Sequence, residues 1–181
     1  MRRSTLSALA PAILCIAARA AAPAEAEPNN VAIAMLAPEE QRVELLRALG
    51  YCAAREPHMQ PALESAMHGW IDRQATLLYV SALYRSAARR KSLEPEEPDA
   101  TRTALKKLLD VDIPRVIASG VDTVLKPLQK ADQDKTLERA CNAYLQGVNS
   151  GRFDLKSESP DLVKFMEQSA PATTEANAGP P

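Results

Sequence analysis

Residues 137–148 read LERACNAYLQGV, and in that stretch Leu137, Cys141, Tyr144 and Val148 recur at spacings of four, three and four. That rhythm lays four apolar side chains along one stripe of an α-helix and leaves Glu138, Arg139, Asn142 and Gln146 for the opposite side. The segment just upstream repeats it. Pro114 is a good first residue for a helix, and Ile117, Val121, Val124 and Leu128 follow at four, three and four, with Pro127 placed to kink or end the segment. Two neighbouring segments with one helical period and no alternating stretch predict an all-α protein.

Toward the N-terminus, Pro38 followed by Glu39 and Glu40 reads as a helix start, with proline first and acids in the opening turn. Leu45, Leu49 and Cys52 then share a stripe, and Pro57 predicts a stop, because the residue before a proline resists helical geometry. A longer helix is expected from Pro61 to about Lys91, with Leu63, Met67, Trp70, Leu77 and Tyr84 near one face and Gly69 as a point where it bends or splits. Residues 94–99, EPEEPD, form an acidic linker with two prolines that no helix crosses intact. Asp99 is placed to cap a short helix carrying Leu105, Leu108 and Leu109. Near the C-terminus, Ser159, Pro160 and Asp161 restart a helix that carries Leu162, Phe165 and Met166. The expectation is a single bundle of five to six helices over residues 28–168. Residues 169–181, rich in Ala, Thr, Pro and Gly without an apolar anchor, are expected to be a disordered tail.

The first residues carry a different signal. Met1, Arg2, Arg3 and Ser4 make a short basic start, and an apolar run follows from Leu6 to Ala18. The run is short for a bilayer span and gives way to small residues, which predicts a secretory signal peptide over residues 1–20. The small-x-small rule also allows cleavage as late as residue 26. Thr5 stands where a twin-arginine signal wants a bulky apolar residue, and Leu14 before Cys15 does not fit lipid attachment. The expected location is periplasmic or secreted. The mature chain has no second run long enough to cross a membrane.

Charge narrows the partners. The chain holds 22 basic and 23 acidic side chains. Removing residues 1–20 takes three arginines and no acid, leaving 19 against 23, a net charge of −4. That balance predicts no general attraction to nucleic acid. Export also changes how the cysteines are read. Cys15 leaves with the signal, so Cys52 and Cys141 remain, each on the apolar stripe of its helix. In an oxidising compartment the default is one disulfide between them; two buried thiols or an intermolecular bridge are the alternatives.

Residues Cys141, Tyr144, Gly147 and Val148 form a Cys-x-x-Tyr-x-x-Gly-Val helix that resembles one helix of the Rap1a/Tai-type immunity proteins. The resemblance covers that helix and implies a small helical periplasmic protein held by disulfides.

Signatures of catalysis are sparse. The chain has no Gly-x-Ser-x-Gly elbow, no paired-histidine zinc helix and no glycine-rich phosphate loop, and it has six glycines in all. The absence of Cys-x-x-Cys argues against a thioredoxin-like role. No enzyme activity and no cofactor are expected. The function predicted is docking of another protein, as an immunity factor, inhibitor, chaperone or assembly subunit. The alternative is a small-ligand or metal carrier. Both histidines adjoin methionines, His58 with Met59 and Met67 with His68, and imidazole with thioether is a ligand set suited to copper. Glu64, His68 and Asp72, spaced by four, predict an exposed ion-pair ladder along the same helix.

Overall fold

The computed structural model describes residues 28–169. The predicted signal peptide and residues 170–181 of the predicted tail lie outside the described residues. The helices are α1 (Pro28–Arg55), α2 (Gln60–Lys91), α3 (Asp99–Lys107), α4 (Ile113–Gln133), α5 (Leu137–Asn149), α6 (Leu155–Glu158) and α7 (Pro160–Ser169). A 3-10 turn, Pro57–Met59, joins α1 to α2, and a π-helical turn, Leu108–Asp112, joins α3 to α4. No strand occurs among the described residues. Six helices longer than one turn, plus the single turn of α6, make the all-α bundle that the stripes predict.

The two longest helices, α1 and α2, form an antiparallel pair. Their facing stripes build a main core from Leu45, Ala48, Leu49, Cys52, Leu63, Met67 and Trp70, which Leu128 of α4 and Leu137, Cys141 and Val148 of α5 complete. A smaller core forms at the other end of the pair, where Leu77 and Val80 meet Leu155, Val163 and Met166. Here Tyr84 stacks on Phe165 with ring centroids 6.1 Å apart.

Several boundaries depart from those the sequence predicts. α1 begins ten residues before Pro38 and runs straight through it. Pro38 has no N–H to give the Ala34 carbonyl, a loss that normally kinks or ends a helix. Its ring is fully buried, and α2 supplies polar support beside it. The Ser81 hydroxyl donates to the Met35 carbonyl at 3.0 Å, and Arg85 Nη1 donates to the same oxygen at 2.9 Å. Tertiary packing therefore overrides the local start signal.

Gly69 does not split α2, which is continuous past it; packing along the whole length of α1 outweighs one glycine's weak propensity. Asp99 is the first residue of α3 and Pro98 takes the cap position. Pro114 is the second residue of α4, the first-turn place the sequence predicts, although the π turn joins α4 to α3 without a break. Its missing N–H and its ring bear on the carbonyl of Asp110, four residues back, and that residue lies inside the wider π turn. The chain from Asp99 to Gln133 is thus helical throughout. Pro127 sits on the exposed side of α4, where water can take the freed Thr123 carbonyl, and α4 continues beyond it.

Two helix ends use the same device with different residues. After α5, Gly151 takes a left-handed φ of 73°. The Arg152 N–H returns to the Gly147 carbonyl at 3.0 Å, and the Gly151 N–H to Val148 at 3.3 Å. This is a Schellman ending with the residue that suits it best. After α4 the left-handed position is Lys135, at φ 57°, with Thr136 N–H on the Ala131 carbonyl at 2.8 Å and Lys135 N–H on Asp132 at 3.2 Å. A side chain in that region costs about 1 kcal/mol. Lys135→Gly is therefore expected to stabilise the protein by up to about 1 kcal/mol, raising Tm by about 2–4 °C. Differential scanning calorimetry checks it, and an unchanged or lower Tm would refute the strain at this position.

Candidate functional site

The two cysteines meet as the stripes predict. Cys52 of α1 and Cys141 of α5 are joined by a disulfide with Cα atoms 5.7 Å apart and a sequence separation of 89. Both are fully buried in the main core, so the bond is a staple and not a surface redox site.

The four residues of the metal alternative are not brought to one point. Met59 and Met67 are buried in the main core, whereas His58 and His68 are exposed. His58 lies beside carboxylates instead of thioethers, with Nδ1 3.8 Å from Glu56 and Nε2 3.4 Å from Glu138. Among the described residues no three His, Cys, Asp or Glu side chains gather in a way that would hold a metal ion. The ladder through Glu64, His68 and Asp72 does not form as expected. Glu64 takes the side-chain amide of Gln60 at 2.7 Å, a neighbour one turn back that competes directly with the imidazole.

An open apolar region lies along the seam between α1 and α4, which run parallel. The α4 stripe is expected from its spacing to be core, yet only Leu128 of its four residues is buried; Ile117, Val121 and Val124 are half-buried. What they leave uncovered is a cleft of about 550 Å³ lined by Val43 and Arg47 on α1 and by Pro114, Ile117, Ala118, Val121, Asp122 and Leu125 on α4. Its walls are apolar, with a base on one side and an acid on the other. A second, smaller cleft of about 130 Å³ opens nearer the start of α1, between Ala32, Ile33 and Leu36 and the Leu108, Asp112, Ile113 and Val116 of the π turn and α4. Ile33 and Val116, on its two walls, are each 40% exposed, and Val111 beside them 46%. Exposed branched side chains clustered on one face mark a surface suited to contact.

At the middle of the seam the helices touch through Gly120. A methyl group placed there would overlap the Glu44 carboxylate and lie 3.2 Å from Oε1 of Glu40. Two carboxylates one turn apart on α1 therefore converge on one point of the α4 backbone. Burial pushes the Glu40 carboxyl above its ordinary range. Glu44 is raised too, first by burial and then by the charges of Glu40 and Glu158. Glu158 also accepts a hydrogen bond from Gln41 Nε2 at 3.0 Å, while Oε1 of the buried Gln41 has no partner. Tyr144 of α5, half-buried near Glu44, is raised by burial and by the Glu44 charge.

Sequence reasoning missed this region. Glu40 reads as a helix-start acid and Ile117 and Val121 as core, and nothing local says that α4 would be only partly covered. The available signal was the helix count. One apolar stripe more than the core can enclose leaves one stripe at the surface.

Fold and site together define a disulfide-stapled helical bundle with an open apolar seam between two of its helices. No protein family, no curated protein and no solved structure matches the chain. The likeness to the immunity proteins accordingly stays with the eight residues Cys141–Val148.

Proposed function

We propose that this chain is an exported, non-enzymatic protein that works by docking another protein, and that the α1–α4 seam is its docking face. The observation that carries this reading is the half-covered stripe of α4. An amphipathic helix in a finished bundle normally buries its apolar stripe, and this one leaves Ile117 and Val121 facing an apolar cleft of about 550 Å³. A cleft between two helices accepts an amphipathic helix from a partner by the same ridge-and-groove packing that holds bundles together. Arg47 and Asp122, on opposite walls, would set the partner's direction through charge. Export is supported by the basic and apolar N-terminal residues and by the buried disulfide, which suits an oxidising compartment.

The experiment is site-specific photocrosslinking in the exported fraction of the source cells. A crosslinker at Val121 is expected to trap one discrete partner, and a crosslinker at Lys164, on the exposed side of α7, is expected to trap none. Val121→Arg, which places a charge in the cleft without disturbing the buried core, should abolish the adduct formed from a crosslinker at Ala118. Equal labelling from both faces, or an adduct that survives Val121→Arg, would overturn the reading.

A further inference from the structure

The acids at the seam invite a question separate from docking, namely why carboxylates should converge where no cation meets them. No described lysine, arginine or histidine nitrogen forms an ion pair with Glu40, Glu44 or Glu158. The nearby bases are otherwise engaged. Arg42 is held by Glu39 at 2.6 Å and 2.9 Å. Arg85 of α2 serves the Met35 carbonyl and lies 3.9 Å from Glu39, and Arg47 lines the cleft. The groups facing the pair are Glu158 of α6 and Tyr144 of α5, and α4 presents the bare backbone of Gly120. Like charges drawn out of water without a counter-charge oppose the packing that brings them together.

We propose that Glu40 and Glu44 form a proton-operated clasp that draws α4 onto α1 as the medium becomes mildly acidic. The geometry is the convergence of both carboxylates on the bare backbone of Gly120, with Glu158 adding a further negative charge beside Glu44. A proton on either acid of the pair relieves the repulsion over Gly120 and gives one carboxyl an O–H to donate to its neighbour.

The direction of the pH effect follows from the raised carboxyls of Glu40 and Glu44. An acid raised on folding contributes stability that is complete below its unfolded value and is lost as pH rises through its higher folded value. Glu39, Asp110 and Asp112 are lowered by their basic partners and work the opposite way, so the clasp is isolated by difference and not by the total profile. In urea unfolding, the Glu40→Gln/Glu44→Gln double variant is expected to fold with a constant about threefold to tenfold larger than wild type at pH 7.5, tenfold corresponding to about 1.4 kcal/mol. The advantage should shrink to none by pH 4, where the wild type carries its own protons. A constant offset at both pH values, or no gain at pH 7.5, would overturn the clasp. Should the double variant fail to fold, a carbon-13 NMR titration of the wild-type carboxyls decides the matter. Midpoints for Glu40 and Glu44 above the ordinary glutamate range support the clasp, and ordinary midpoints refute it. Neither experiment depends on a docking partner.

Discussion

Replacing Cys52 and Cys141 together with alanine is expected to lower the stability of the domain by about 4 kcal/mol. That figure comes from closing a loop of 89 residues, whose release restores entropy to the unfolded chain. For a domain whose total lies in the range of about 5–15 kcal/mol, that loss is between about a quarter and four-fifths of the whole. The location of the bond adds to its weight. α5 is a helix of 13 residues, too short to hold its shape alone in water, and the disulfide fixes its middle against α1. Urea unfolding of wild type and variant measures the difference. Denatured without reductant, the oxidised protein should also show no reactive thiol at Cys52 or Cys141. Two reactive equivalents, or a loss below about 1 kcal/mol, would contradict the reading of the bond as the staple of the core.

The second large effect is expected at Trp70. Its side chain is fully buried at the centre of the main core, and Nε1 donates to the carbonyl of Phe153 at 2.9 Å. The indole thus touches the core with its rings and ties down the loop after α5 with its nitrogen. Arg73, one turn further along α2, holds the same loop through the Val148 carbonyl at 2.6 Å and the Asp154 carboxylate at 3.0 and 3.2 Å. Phe153, whose carbonyl receives the indole, stacks on Tyr144 at 5.6 Å and packs tightly over Gly147. Trp70→Ala is expected to cost about 3–5 kcal/mol, the range for deleting a buried large aromatic. Trp70→Phe keeps most of the volume and leaves the Phe153 carbonyl unpaired, and should cost about 1–3 kcal/mol. Denaturation curves for the two variants separate packing from hydrogen bonding. Equal losses would assign the whole effect to the nitrogen, and no loss in the phenylalanine variant would show that the loop is held by Arg73 alone.

Much of the fold is legible because helical periodicity is a local property. The four-three-four spacings from Leu137 to Val148 and from Ile117 to Leu128 each place one stripe, whatever surrounds them. The stripe of Leu63, Met67, Trp70 and Leu77 in α2 is buried as its spacing predicts. Stop and start signals are less dependable, because a proline's meaning depends on what lies beside it. Pro57 and Pro160 mark true boundaries. Pro114 falls in the first turn of α4, although a π turn keeps the chain continuous with α3, whereas Pro38 lies inside α1, where Ser81 and Arg85 come from another helix to serve a carbonyl beside it.

Residue order alone is enough to establish an all-α protein, the apolar stripes its helices carry, and the places of Cys52 and Cys141 on those stripes. How fully each stripe is covered is settled by packing in three dimensions. Burial of α4 depends on the angle and height at which it meets α1. Those are set by the close approach at Gly120, by the π turn at Leu108–Asp112 and by Leu128 reaching the main core. The same holds for the acids. Glu40 and Glu44 are four residues apart on any helix, but their lack of a counter-charge is a property of three other elements, α4, α5 and α6, that surround them. Periodicity acts within one helix, whereas coverage and electrostatic environment are sums over neighbours, and no single stretch of sequence contains its neighbours.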